Sequence, residues 1–252
     1  MPAMRLLIVQ HDDTAGLGSL AAPLKDRGAD LEIWFPARTA EPSAALEAYD
    51  GLIVLGGVAH PDQDAEHPWL AADRALLLEA LDLELPTLGI CLGAQLLAQV
   101  VGAGAARMAR PEIGWYGVRF TPEARHDPLL AGLGDRFCAV VWHHYGFVLP
   151  PDVPVLGRTT RAQHAFRVGS SAWGLQFHIE ADAATVATWA AGSPDELDAH
   201  GSGAPALLRE TAERMDDHVR AAHELADRFA DLVQRRIDGR PRVGPSVTAT
   251  AD

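Results

Sequence analysis

Cys91 is flanked by two glycines in Gly89-Ile-Cys-Leu-Gly93, at the point where a short apolar run gives way to a helical pattern. The stretch reads as a strand over Thr87 to Ile90, a sharp turn at Cys91, and a helix from Leu92 to about Val101. A nucleophile perched between strand and helix sits in strained backbone and needs small neighbours around the bend. At a helix N-terminus its sulfur meets free N–H groups and the positive end of the helix dipole, which favour thiolate over thiol. Free cysteines are often buried as small apolar residues. Cys138, in an alternating apolar strand, reads that way. The paired glycines at a strand-to-helix junction instead mark Cys91 as a candidate nucleophile.

A second constellation is Ala172-Trp-Gly-Leu-Gln-Phe-His-Ile-Glu180, read as an apolar strand running into a polar end. Side chains two apart on a strand share a face, so His178 and Glu180 are expected to point the same way, with Phe177 and Ile179 toward the core. A carboxylate beside an imidazole fixes its tautomer and raises its basicity, leaving the other nitrogen for a nucleophile's proton. Most of the chain's 11 histidines must be ordinary; His178 stands out through Glu180 and its place at the end of an apolar run. Cys91 and His178 lie far apart in sequence and can meet only through the fold. Gly56-Gly57, after another apolar run, leaves backbone N–H groups bare, as an oxyanion site needs, although such a pair is more often a simple turn.

The elements that must position these residues follow from the apolar runs. Arg5 to Val9, Leu31 to Phe35, Gly51 to Leu55 and Thr87 to Ile90 read as strands, the first as a continuous apolar run buried on both faces and the last as a short buried strand. Helices are expected over Ser19 to Arg27, stopped by Gly28, and over Pro68 to Leu83. This alternation predicts a parallel sheet with helices on both sides, whose ligands bind beyond the carboxyl ends of the strands. His11, Gly57 and Cys91 all fall at such ends, where His11 and Asp12 either line the site or cap a loop. Short strands over Trp115 to Phe120, Phe137 to Trp142, Val153 to Arg158, His164 to Val168 and Trp173 to Phe177 predict an added antiparallel section. Helices follow over Ala183 to Ala191 and about Pro205 to Ile237, with a mobile loop expected between Gly192 and Gly203. Residues 1–238 thus read as a single α/β domain, and 239–252, poor in apolar residues, as a disordered tail.

With 48% apolar residues and 22% charged, the composition is that of an ordinary globular protein. A net charge of −13 argues against nucleic acid or an anionic membrane as a partner. Two cysteines make no disulfide framework, and the short apolar run from Met4 to Val9 is better read as a strand than as a signal peptide, so a cytoplasmic setting is expected. No apolar segment approaches membrane-spanning length. His60, Asp62 and His67 match no defensible metal pattern, so no metal is expected. No cofactor is expected, and without a Walker-type loop any ATP chemistry would belong to another chain.

Taken together, Gly89-Ile-Cys-Leu-Gly-Ala-Gln95, Gly174-Leu-Gln-Phe-His-Ile-Glu180 and Gly56-Gly57 resemble the motifs of class I glutamine amidotransferases, the Cys-His-Glu glutaminase family. The resemblance extends through Gln10-His-Asp12, Glu66 to Leu70, Glu112 to Trp115, Trp142-His143 and Ala165 to Gly169, and is closest to the stand-alone, GMP-synthase-like branch. It implies a flavodoxin-like sheet and a reaction in which Cys91 attacks the side-chain amide carbon of glutamine. The N–H groups of Gly57 and Leu92 would hold the oxyanion. His178, oriented by Glu180, would protonate departing ammonia and then activate water. Gly56, Gln95, Trp142, His143 and Tyr145 would contact the substrate, and a separate synthetase could accept the ammonia.

Two departures from the family pattern bear on this. Ile179 replaces the usual proline between the histidine and the glutamate. The family's Ser-His-Gly-Asp-like segment, which grips the α-amino and carboxylate groups of the substrate, reads Trp142-His-His-Tyr145. The second difference opens an alternative, a γ-glutamyl hydrolase or peptidase acting on other γ-glutamyl amides, including glutathione-like peptides. A regulatory homologue with an idle site is the non-enzyme alternative. Proteins of the DJ-1/PfpI type usually carry histidine directly after the elbow cysteine, where this chain has Leu92, and an α/β-hydrolase places its acid before its histidine.

Overall fold

A computed structural model of the protein describes residues 4–201 and 203–239. Beyond Gly239, the tail expected over 239–252 lies outside them. The strands are β1 (Met4–Val9), β2 (Ala29–Trp34), β3 (Gly51–Val54), β4 (Thr87–Ile90), β5 (Gly104–Phe120), β6 (Arg136–Val148), β7 (Val155–Arg158), β8 (Gln163–Val168) and β9 (Ala172–Leu175). They form one sheet in the order β2-β1-β3-β4-β9-β8-β7-β5-β6, parallel from β2 to β9 and antiparallel from there outward. This is the expected α/β architecture with its antiparallel extension.

Alternation along the buried strands builds a core on each face. Leu6, Ile8, Ile53 and Leu55 face one layer, while Leu7, Val9, Leu52 and Val54 face the other. The first layer is closed by α1 (Ala21–Asp26) and by α6 (Ala204–Gly239), whose buried stripe runs through Ala222, Leu225, Phe229 and Val233 at helical spacing. The second is closed by α2 (Trp69–Asp82) and α3 (Leu92–Val100). Among the described residues no helix is long and apolar enough to cross a membrane.

Three expectations need correction. The segment read as a mobile loop contains a helix, α5 (Pro194–His200), directly after α4 (Ala183–Gly192). Proline in its first turn and the buried Leu197, packed with Ile113 and Trp115, stabilise it despite its polar composition. Strand β5 begins eleven residues earlier than Trp115, because its first half pairs with the end of β6 while exposing most of its side chains, so no apolar pattern marks it. Strand β9 stops at Leu175, so His178 and Glu180 lie in the following turn rather than on a strand.

Sheet register sets the site. Pairing of Val9 with Val54, Val54 with Gly89, and Ile90 with Leu175 brings the chain just past β1, β3, β4 and β9 to one edge. His11, Gly56, Cys91 and Gln176 therefore gather at the carboxyl end of the parallel strands.

Candidate active site

Cys91 occupies the bend between β4 and α3 with φ 51° and ψ −103°; with Glu84 it is one of two non-glycine residues at positive φ among those described. Such backbone costs about 1–3 kcal/mol and persists only where the surroundings impose it. The flanking glycines show how they do. A Cβ on Gly89 would lie 2.6 Å from the Gly93 carbonyl oxygen, and one on Gly93 would overlap the Val54 carbonyl. Helix α3 can press against β3 and β4 only without those side chains, and this pressure forces the turn. The amide of Cys91 still donates to Leu175 O at 2.8 Å, continuing the β4–β9 ladder, and its carbonyl accepts from the Gln95 amide.

The turn after β9 brings His178 to the same place. Its amide donates to Val140 O of β6 at 2.8 Å, which draws the chain across the sheet end. Nδ1 of His178 and Oε1 of Glu180 lie 2.6 Å apart, with both side chains almost wholly buried. Glu180 is anchored by its carbonyl, which accepts from Ser19 N; Gly18, at φ 45°, passes so close that a Cβ there would overlap this oxygen. Burial disfavours a charged His178 ring, but the Glu180 carboxylate and the Cys91 sulfur beside it outweigh that, holding the imidazole well above its ordinary pKa. The ring packs edge-on against Trp189 of α4, 4.7 Å between centroids.

Cys91 and His178 line one cavity of about 460 Å³ together with Gly57, Leu92, Gln95, Trp142, His143 and Tyr145. Leu92 opens α3, so its N–H is among those with no intrahelical acceptor. Gly56 lies beneath the cavity: a Cβ on it would sit 3.0 Å from Cε1 of His178 and 3.4 Å from Cβ of Cys91. The amide nitrogen of Gln95 donates to Tyr145 O and to Gln176 Oε1, while Gln176 Nε2 points at Cys91 Sγ from 3.7 Å. The Trp142 indole donates to Glu196 of α5, and Tyr145 donates its hydroxyl to Asp62. Asp12, His60 and His144 also line the cavity, whereas His67 packs against Trp69 outside it. Burial pushes His60 and His144 below the ordinary imidazole value, so both stay neutral near pH 7. Cys138 is half-buried, and burial pushes its thiol up.

His143 reaches the cavity wall, but its ring is committed to the interior. Nδ1 donates to Tyr145 O at 2.9 Å, and Nε2 faces Oε2 of Glu112 at 3.2 Å. The same oxygen receives His164 Nε2 at 2.8 Å, and Oε1 accepts the Thr159 hydroxyl. Despite its burial, Glu112 is held far below the ordinary carboxylate range by His143, His164 and Thr159. Glu112, His143 and His164 are the one group of potential metal ligands that converges among the described residues.

Several site residues escaped the sequence reading. Gln176 sits one residue past β9, a position the register assigns to the Cys91 edge. Asp73 is a fully buried acid in the stripe Leu70, Asp73, Leu77, Ala80 of α2, where a carboxylate in an apolar series was the available signal. Trp189 and Glu196 had no such signal, because they reach the site only through the packing of α4 and α5.

Residues 17–187 match the glutamine amidotransferase class-I family. The glutamine amidotransferase-like protein YfeJ of Salmonella typhimurium is 27% identical over 236 residues, covering 90% of this chain and 96% of its own. A glutamine-hydrolysing GMP synthase component from Saccharolobus solfataricus is 31% identical over 160 residues, 62% of this chain and 79% of that one. A glutamine amidotransferase crystal structure from Thermotoga maritima superposes with a TM-score of 0.83 at 27% identity, covering 92% of this chain and 100% of the other.

Proposed function

Because the chain belongs to the class I glutamine amidotransferase family, we propose that it is a cysteine-dependent amidohydrolase that releases ammonia from the side-chain amide of glutamine through a Cys91 thioester. The observation that carries this reading is a strained cysteine at a helix N-terminus sharing one cavity with an imidazole whose Nδ1 is engaged by a buried carboxylate. With Nδ1 taken by Glu180, Nε2 is the nitrogen left to serve Cys91.

The Cys91 thiolate attacks the amide carbon, and the oxyanion that forms is held by the N–H groups of Gly57 and Leu92. Protonated His178 gives its proton to the departing nitrogen as the carbon–nitrogen bond breaks, leaving a γ-glutamyl thioester and free ammonia. Neutral His178 then takes a proton from water, which attacks the thioester; collapse expels the Cys91 thiolate, restoring the thiolate and protonated His178, and releases glutamate. Relatives named as parts of synthases suggest that a separate synthetase chain takes up the ammonia. A free thiol nucleophile suits a reducing cytoplasm.

The cavity favours a second substrate class on the same machinery. At about 460 Å³ it falls within the range of pockets that hold drug-sized ligands. Among the described residues none lining it is lysine or arginine to pair with a free amino acid's carboxylate. A γ-glutamyl amide with a larger amine leaving group would fill more of it. Measuring amine release from glutamine and from a panel of γ-glutamyl amides separates the two by kcat/KM. Both readings require Cys91→Ala to abolish release; full activity in that variant would remove them.

A further inference from the structure

The backbone amide of Gly57 can serve an oxyanion only if the Gly56–Gly57 peptide keeps one face toward Cys91. Two successive glycines offer little resistance to rotation of that peptide. We propose that His11, braced by Asp73, is a positioning residue that fixes this orientation; the inference rests on the amidohydrolase reading above.

His11 sits just past β1, and the β1–β3 register carries it alongside Gly56. Its Nδ1 lies 3.0 Å from the Gly56 carbonyl oxygen and its Nε2 lies 2.9 Å from Oδ2 of Asp73. A carbonyl oxygen can only accept, so Nδ1 is the donor to Gly56, and Nε2 is held against the Asp73 carboxyl group. The side chains are 1% and 0% exposed. The ring is stacked on Trp69 with centroids 4.8 Å apart and planes inclined by 20°, so it cannot swing away. A Cβ on Gly57 would sit 2.8 Å from Cβ of His11, so glycine is what allows this approach.

In a trans peptide the C=O of one residue and the N–H of the next point in opposite directions. Holding the Gly56 carbonyl toward His11 therefore turns the Gly57 N–H the other way. Gly57 lines the cavity that also holds Cys91 and His178, whereas His11 does not, so that cavity is where an N–H turned away from His11 finds the reacting centre. Asp73 supports the same purpose. It is a fully buried acid in the apolar stripe of α2, and its second oxygen, Oδ1, has no hydrogen-bond partner. Burying a carboxylate is costly unless it is paired, and its pairing here is with His11.

The test uses three substitutions of the full chain. Asparagine can place its amide N–H near the Nδ1 position and keep the bond to Gly56; glutamine reaches toward the Nε2 position and keeps the bond to Asp73; phenylalanine keeps neither. His11→Asn is expected to stay within about tenfold of wild type in kcat for amine release, whereas His11→Gln and His11→Phe lose about 10²-fold, as expected for loss of an oxyanion donor, with KM little changed. Alkylation of Cys91 by iodoacetamide passes through no oxyanion and should proceed at the wild-type rate in all three. Crystal structures of His11→Phe and His11→Asn give a readout that needs no turnover: the Gly56 carbonyl is expected to rotate in the first and hold in the second. Equal activity in all three variants, or a Gly56 carbonyl unmoved in His11→Phe, overturns the proposal. A wild-type enzyme inert toward every γ-glutamyl amide would remove the amidohydrolase reading, while the carbonyl's orientation would still decide whether His11 sets it.

Discussion

Replacing Gly93 with alanine tests whether the bend at Cys91 is imposed by close packing. The added Cβ would lie 2.8 Å from the Val54 carbonyl carbon and 3.0 Å from its Cβ, with the oxygen closer still. Carbon–carbon contacts settle near 3.5–4.0 Å, so α3 and β3 would have to separate by about 1 Å. Neither can yield easily, because β3 is held between β1 and β4 and α3 follows directly from the bend. Overpacking of this kind costs about 1–3 kcal/mol, and contact with backbone rather than a flexible side chain points to the upper end. For a domain of this size about 3 kcal/mol corresponds to a drop of about 6–12 °C in Tm. The same displacement moves the Leu92 amide relative to the Gly56–Gly57 peptide, and a misplacement of about 1 Å can cost about 10²-fold in turnover. Gly104→Ala is the control, since nothing lies within 4 Å of its added carbon; it should change stability by no more than about 0.5 kcal/mol. Thermal melts followed by circular dichroism, with amine-release assays on the same samples, provide the measurement. A Gly93→Ala protein that melts and turns over like Gly104→Ala would show that the bend at Cys91 does not depend on this packing.

Two further predictions concern protonation. Glu180 helps hold the His178 ring above its ordinary pKa, so thioester formation, which draws on the protonated ring, should lose rate as pH rises through that raised value. Glu180→Gln should draw that decline to lower pH, because the carboxylate that favours the charged ring is gone; an unchanged profile would exclude Glu180 from this role. His218 of α6, stacked on Phe137 and edge-on to Trp115, is pushed down to about 4 by burial. The unfolded chain takes up this proton below about pH 6.5 and the folded chain only below about 4, so the unfolded state binds more protons across that window. Stability should therefore fall as pH drops from 6.5 to 4, by about 3 kcal/mol from this residue, and His218→Leu should lose that part of the acid dependence in urea titrations. Parallel stability curves for the two proteins would contradict it.

Most of the parallel half of the fold was legible because β1, β3 and β4 are buried on both faces, so unbroken apolar runs such as Leu6 to Val9 identify them directly. The elbow was legible for a related reason: paired glycines around a cysteine have few other uses at a strand-to-helix junction. The first half of β5 was hidden because most of its residues are exposed and no apolar period marks it. Helix α5 was hidden because its short, largely polar run carries a single buried anchor, Leu197. His178 and Glu180 were paired for a partly mistaken reason. Their contact comes from a turn tied to Val140 O and Ser19 N, not from a strand face. The His11–Asp73 pair depends on α2 packing beside β1, a relation that no local sequence period records.

The proposed reaction requires the Cys91 sulfur to accept a γ-glutamyl group. Rapid quenching in acid during turnover of glutamine or of the best γ-glutamyl amide, followed by peptide mass spectrometry, addresses it directly. A γ-glutamyl thioester is expected on the peptide that carries Cys91 and none on the peptide that carries Cys138. Turnover with no such adduct, undiminished in Cys91→Ala, would contradict it.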